Sequence, residues 1–277
     1  MLDKALTQKI TDFVRQRPRT VQEIAFLIER NWRTAESYIE RISTETGLLA
    51  TRTFREGTRG ALKVVYWNAL EPGKGSAYQE RLLQRITLAA RKEDFSPFDI
   101  YQFVQAEKRE AFVERHESPR HPKINYDTLL PTAQHQVLLF SGNLSWLEQG
   151  HDRVKMLEGL AKRRVSIKIL TRIDTISRKN VETALAINTR AGWDAIEIRH
   201  CEQPLRAALV DDSIVTIKEV LSPVKDRELK ERKYLFYIIH DDEWVRWVQK
   251  VFWHLWAQSV DAPTRIGALA TLKQANK

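Results

Sequence analysis

Apolar side chains recur along this chain at two periods, and the change from one to the other divides it. Over the first 45 residues the period is helical. Leu6, Ile10, Phe13 and Val14 share one stripe, and Pro18 stops that helix. Thr20, with Glu23 three positions on, is a capping-box pair opening a second helix, whose apolar side is Ile24, Ala25, Leu27 and Ile28. Asn31 caps a third helix with Ala35, Ile39 and Ile42 on its inner face, and Gly47 ends it. Two β-rich runs come next, at 48–55 and 62–67. The turn Glu56-Gly57-Thr58-Arg59-Gly60 between them predicts a hairpin.

A Gly- and Pro-containing stretch at 71–76 separates this unit from the rest of the chain. Tyr78, Leu82, Ile86 and Ala89 predict a helix over 77–92. Ser96-Pro97 predicts the start of another, carrying Phe98, Tyr101, Val104, Phe112 and Val113 and ending at the prolines of 118–122. From 136 onward short apolar strands alternate with helices: strands at 137–140, 165–170 and 196–198, helices at 152–163 and 177–190. That alternation argues a parallel α/β sheet, and the closely spaced strands 207–210 and 214–217 argue an added antiparallel hairpin. A strand at 234–239 and a helix over 241–259 close the unit. The expected organisation is therefore an α+β unit at 1–70, a helical linker at 71–130 available for dimerisation, an α/β unit at 131–260 and a basic tail at 261–277.

Composition narrows the class. The chain has 277 residues, 43% of them hydrophobic, enough for buried cores and too many for disorder. A single cysteine, Cys201, excludes an intrachain disulfide framework and a multi-cysteine zinc site. No apolar run reaches the roughly 20 residues of a membrane span, and the acid at position 3 is unlike a signal peptide. A soluble cytoplasmic protein, nucleoid-associated and not bound to membrane, is expected. The net charge of +9 favours a polyanion partner.

Helix, helix, turn, helix, strand, turn, strand is the order of a winged helix-turn-helix. The segment TVQEIAFLIERNWRTAESYIERISTETGLL resembles the winged-helix domains of archaeal and bacterial regulators. With Ala35, Ile39 and Ile42 inward, Arg33, Thr34, Ser37, Tyr38 and Arg41 face outward or flank that face. Their side chains suit base edges and phosphates in a major groove. Glu36, Glu40 and Glu45 leave the same helix slightly acidic, which a protein-binding version would share. Against that, the hairpin carries Arg52, Arg55, Arg59 and Lys63 against one acid, with Thr58 at its tip. Arg15, Arg17 and Arg19 add charge before the second helix. Double-stranded DNA is the expected partner, and a homodimer would present two such units.

The stretches RVSIKILTR, AIEIRH, LRAALVDDSIVTIKE and YLFYIIHDDEWVRWVQKVFWHLW resemble a phospholipase-D-like domain. More narrowly, the whole order is similar to TrmB-like sugar-responsive transcription regulators. Active phospholipase D superfamily members use H-x-K-x4-D. The matching stretch here is Pro204-Leu-Arg206-Ala-Ala-Leu-Val-Asp211, with proline in the nucleophile's place, arginine for lysine, and only the aspartate kept. The resemblance thus implies a non-catalytic domain, with no cofactor and no metal. The other H-x-K, His121-Pro-Lys123 with Asp127 beyond it, lies in a proline-flanked linker and is not read as catalytic. The resemblance also implies a small-molecule effector such as a sugar, and the strand ends offer Ser141, Asn143, Thr171, Arg206 and Asp211 to hold it. A cleft filled by side chains and used as a dimer surface is the plain alternative. In the last helix Trp244, Val248, Val251, Phe252, Leu255 and Trp256 form a core stripe, Trp247 lies at its edge, and Trp253 points away from it. The expected function is a sequence-specific DNA-binding transcription regulator. A non-specific architectural DNA binder and a phospholipase-D-superfamily phosphodiesterase are the alternatives.

Overall fold

The structure, a computed structural model, describes residues 3–46, 49–55, 61–67, 75–115, 126–149, 151–222, 229 and 232–275. Helix α1 (Lys4–Gln16) is followed by a two-residue strand β1 (Arg19–Thr20), then α2 (Val21–Leu27) and α3 (Trp32–Thr46). Both halves of the Thr20/Glu23 capping box form, and Asn31 Oδ1 accepts from Thr34 N at 2.9 Å. Strands β2 (Leu49–Arg55) and β3 (Ala61–Trp67) pair antiparallel, and β1 adds to the far side of β3. Ile10, Val14, Ile24, Ala35, Ile39 and Ile42 make one buried core with Leu49 and Val65. These are the positions that the helical period selects, so helix pattern and core agree.

Helix α4 (Gly75–Leu88) and a single turn, α5 (Phe98–Tyr101), come next, and there the expected long helix fails. Phe112 and Val113 lie instead on strand β4 (Arg109–Arg115), which pairs antiparallel with β10 (Lys233–Ile239). A sheet edge left bare by β10 needs a partner for its N–H and C=O groups, and that demand outweighs local helix preference. Short α6 (Tyr126–Leu129) leads to β5 (Gln136–Phe140), α7 (His151–Lys162), β6 (Ser166–Thr171), α8 (Arg178–Ala191), β7 (Ile196–His200), β8 (Ala207–Val210) and β9 (Ile214–Leu221). After β10 come α9 (Asp242–Gln258), β11 (Val260–Asp261) and α10 (Ala262–Ala275). The expected tail is thus helical through residue 275. Ile266 and Leu269 pack on the sheet, and Arg265 Nε donates to Ile173 O at 3.3 Å.

The chain is a mixed α/β protein with one large sheet, ordered β11-β7-β6-β5-β8-β9-β10-β4. Strands β7, β6 and β5 are parallel, and the neighbours from β8 onward are antiparallel. Successive residues of β5 feed opposite faces, as pleating requires. Val137 and Leu139 pack towards α7 and α8, while Leu138 and Phe140 pack towards α9. Leu82 and Ile86 of α4 and Ala89 just beyond it are buried in that second layer, so this stripe of the linker is covered by this chain itself. Trp247, placed at the edge of its stripe by periodicity, is buried at 7% exposure, and Trp253 is the outward one at 38%.

The hairpin belongs to two cores. Leu49 and Val65 face α1–α3, whereas Phe54 and Val64 are buried against α4, α5 and β10. The Phe54 ring meets Tyr237 edge-on at 6.5 Å between centroids, and Tyr66 lies 4.9 Å from Phe98. Alternation of period two lets one hairpin join both units.

Candidate functional site

On α3, Arg33, Ser37 and Arg41 are exposed, while Tyr38 is half-buried against the core of its own unit. Thr34 is committed locally, since its N–H and its hydroxyl both donate to Asn31 Oδ1, at 2.9 and 3.1 Å. The Arg33 guanidinium lies 5.4 Å from the ring centroid of Trp32, which is itself 48% exposed at the start of the helix. Periodicity does not select Trp32; its place one residue past the cap, outside the apolar stripe, is the signal that could have done so.

The acids of α3 are answered from the hairpin. Lys63 Nζ donates to Glu36 Oε1 at 2.7 Å and approaches Glu40 Oε1 at 3.4 Å. The Glu36 hydrogen bond holds the ammonium's proton and raises its pKa. Lys63, expected on a phosphate, is paired with two acids of the helix beside it. Glu23 likewise takes Arg17 at 2.9 Å and Arg19 at 3.3 Å, and Arg19 lies 3.7 Å from the Phe13 ring centroid. Arg52 stands 5.2 Å from the ring centroid of Tyr101 at the junction of the two units. Thr58 and Arg59 lie outside the described residues, as does the side chain of Arg55.

The second expected site divides between two ends of the sheet. Ser141, Asn143, Thr171 and Arg206 stand where β5 and β6 end and antiparallel β8 begins; Asp211 stands at the opposite end. Its carboxylate accepts from Gln134 N at 3.0 Å, His135 N at 2.8 Å and Gln136 N at 2.9 Å, holding the chain that enters β5. Those backbone donors lower its pKa against the opposing effect of burial, which is the largest single influence. Because β8 runs against β5, the residue after Val210 meets the start of β5. Asp211 is therefore a structural clasp and cannot join Arg206 around one ligand.

At the other end, the loops after β5, β6 and β7 are knit by backbone bonds: Ser141 N to Leu170 O, Arg172 N to Gly142 O, and Cys201 N to Thr171 O. Ser141 Oγ accepts from Leu144 N at 3.2 Å, and Asn143 Oδ1 from Ser145 N at 3.2 Å, so both side chains shape their own turn. The Thr171 hydroxyl is fully buried without a hydrogen-bond partner among the described residues. Arg206 Nη1 donates to Gln203 O at 3.3 Å and Leu205 O at 2.7 Å. Pro204 is buried beside it. His200 Nδ1 accepts from Ile173 N at 2.9 Å; burial first, then the charge of Arg265, lower its pKa and favour the neutral ring. His121 and Lys123 lie outside the described residues, and Asp127 pairs with Arg153 at 3.1 Å. Among the described residues no group of three His, Cys, Asp or Glu side chains is placed to hold a metal, and no helix is long and apolar enough to cross a membrane.

No family model matches the chain, and no curated protein is significantly similar to it. Among solved structures it is similar to Nuc, a phospholipase D family member from Salmonella typhimurium, at 15% identity and a TM-score of 0.41 over 55% of this chain and 96% of that one. It is also similar to TrmBL2, an archaeal chromatin protein that binds DNA, at 16% identity and a TM-score of 0.38 over 94% and 95% of the two chains. NucT from Helicobacter pylori is 13% identical, with a TM-score of 0.38, over 56% of this chain and 98% of that one.

Proposed function

We propose that this protein binds duplex DNA and regulates transcription, with α2, α3 and the β2–β3 hairpin acting as a winged helix-turn-helix. The observation that carries the reading is the surface of α3. Arg33, Ser37 and Arg41 are exposed on it, while Glu36 and Glu40, the two acids that would repel a phosphate backbone, are met by Lys63. With one of the two acidic charges offset by Lys63, the exposed arginines suit a polyanion better than a protein partner. In this reading Arg33, Ser37 and Arg41 address base edges or adjacent phosphates, and Arg55 and Arg59 address the backbone.

The α/β unit serves as a non-catalytic, phospholipase-D-like effector unit. Pro204 offers no nucleophile, and the nearby His200 has its Nδ1 engaged by the backbone. Two copies of the chain would read a near-palindromic site, with half-sites about one turn, ~34 Å, apart. The test is a footprint on genomic fragments. Protection of discrete sites supports regulation; uniform coating of any duplex supports an architectural role; no binding at low salt removes DNA altogether.

A further inference from the structure

The contact between the β2–β3 hairpin and the α/β unit is largely apolar. Phe54, Leu62, Val64 and Tyr66 pack on that unit from one face of the hairpin, and Arg52, opposite Val64, shares their face. Arg109 lies opposite Ile239 of β10, on the same face of β4 as Ala111 and Val113, which pack into the same layer. Each side thus puts one arginine into the contact. The two meet at the Tyr101 ring, with guanidinium carbons 5.2 Å (Arg52) and 4.6 Å (Arg109) from its centroid.

Little answers these charges. Arg109 Nη1 donates to Tyr101 O, and neither guanidinium forms an ion pair among the described residues. The acids around Tyr237, whose ring lies 5.0 Å from that of Tyr101, are already engaged. Asp99 takes Arg85 at 2.7 Å, and Glu219 accepts from Ser96 Oγ at 2.8 Å and from the Tyr237 hydroxyl at 2.6 Å. The Tyr101 hydroxyl and Arg109 Nε are both buried without a hydrogen-bond partner among the described residues. Burial is the largest influence lowering the Arg109 pKa, and the charge of Arg52 lowers it further. A polar group shut away from water with no partner costs the closed contact its lost hydration.

Opening the contact ends that cost without unfolding either side. The N-terminal unit keeps its own core of α1–α3 with Leu49 and Val65. The large sheet keeps α4, α5 and α9 on one face and α7 and α8 on the other. Burial of Phe54 and Val64 holds the contact shut, and the stranded polar atoms and paired like charges oppose it. We propose that this contact is a joint, at which the hairpin and its N-terminal unit detach from the α/β unit while both stay folded. Any molecule that prefers the open or the closed form, on either unit, is thereby coupled to the other unit. The joint does not depend on DNA being the partner.

Thiol reactivity reads it, because Val64 and Val65 are neighbours that face different ways. Val64 is turned to the joint and Val65 to the N-terminal core, at 8% and 0% exposure. In the full chain carrying Cys201→Ser, Val64→Cys and Val65→Cys are each treated with an aromatic disulfide reagent in the absence of denaturant. The thiol at position 64 is expected to react faster than the thiol at position 65. Adding Tyr101→Phe deletes the stranded hydroxyl. It should slow reaction at position 64 by about fivefold or more and leave position 65 unchanged. Arg52→Met, which keeps the stem and removes the charge, should slow position 64 as well. Circular dichroism checks that each variant is folded. A rate at position 64 that Tyr101→Phe leaves unchanged or raises would overturn the proposal, since the hydroxyl then costs the closed contact nothing. Equal slowing at both positions overturns it too, by showing global unfolding in place of a joint. Faster reaction at position 64 in Arg52→Met does the same, because the arginine is then a clamp.

Discussion

Replacing Lys63 by alanine distinguishes a residue that touches DNA from one that prepares the surface for it. In the wild type its ammonium lies 2.7 Å from Glu36 and 3.4 Å from Glu40, with side-chain exposures of 22%, 29% and 63% for the three groups. An exposed network of this kind contributes about 0.2–1 kcal/mol, so the variant stays folded. Its loss takes the ammonium away from Glu36 and Glu40 on the helix proposed to face DNA. One carboxylate roughly 7 Å from a phosphate repels it by about 0.6 kcal/mol at the dielectric of water. The variant removes one positive charge, so the cost is about 0.6 kcal/mol, about a threefold loss of affinity. The assay is fluorescence anisotropy of a labelled duplex over a range of salt concentrations. If Lys63 acts as a strut, Glu36→Gln with Glu40→Gln and Lys63→Ala restores binding close to the wild-type value. If Lys63 instead touches a phosphate, the triple variant stays weak and the slope of log K against log salt falls by about 0.9. That second outcome would refute the strut.

Asp211→Asn should destabilise the protein by roughly 1 kcal/mol, modest because the carboxylate is only half-buried, as read from urea denaturation. The sign follows from its lowered pKa. The contribution of Asp211 is complete above the ordinary aspartate value of about 3.9 and is lost as the pH falls through its lower native value. The variant should therefore converge on the wild type at acid pH, and a constant gap at every pH would contradict the clasp. Phe54→Ala should cost about 3 kcal/mol by leaving a cavity against Tyr237, and a loss below about 1 kcal/mol would mean that the hairpin is not packed on the second unit. Purified protein should leave bis(p-nitrophenyl) phosphate intact; hydrolysis that survives further purification would overturn the non-catalytic reading of Pro204.

Much of the architecture was legible as periodicity. The core stripes of α1–α3, the Thr20/Glu23 capping box and the alternation of β5, β6 and β7 with α7 and α8 are each written within about fifteen residues, where side-chain spacing and backbone geometry constrain one another directly. The exposed face of α3 was legible for the same reason, as the complement of a buried stripe. Segment 109–115 was not, because its strand conformation answers the open edge of β10, more than a hundred residues away. The α4 stripe shows the same limit: its apolar spacing signals burial without saying whether this chain or a second copy covers it.

Chemistry that needs two distant segments was decided by the tertiary structure alone. Lys63 and Glu36 are 27 positions apart, and only the packing of hairpin on helix brings them into an ion pair. Asp211 and Arg206 are five positions apart in sequence and stand at opposite ends of a strand. Sequence proximity suggested one site, and the 3.3 Å rise per residue of β8 separated them. Sequence by itself determined the buried stripes of α1–α3, the starts of α2 and α3, and the absence of a nucleophile at Pro204. Which charges meet, and that the Arg206 guanidinium packs against Gly142, depended on contacts between segments that no local spacing encodes.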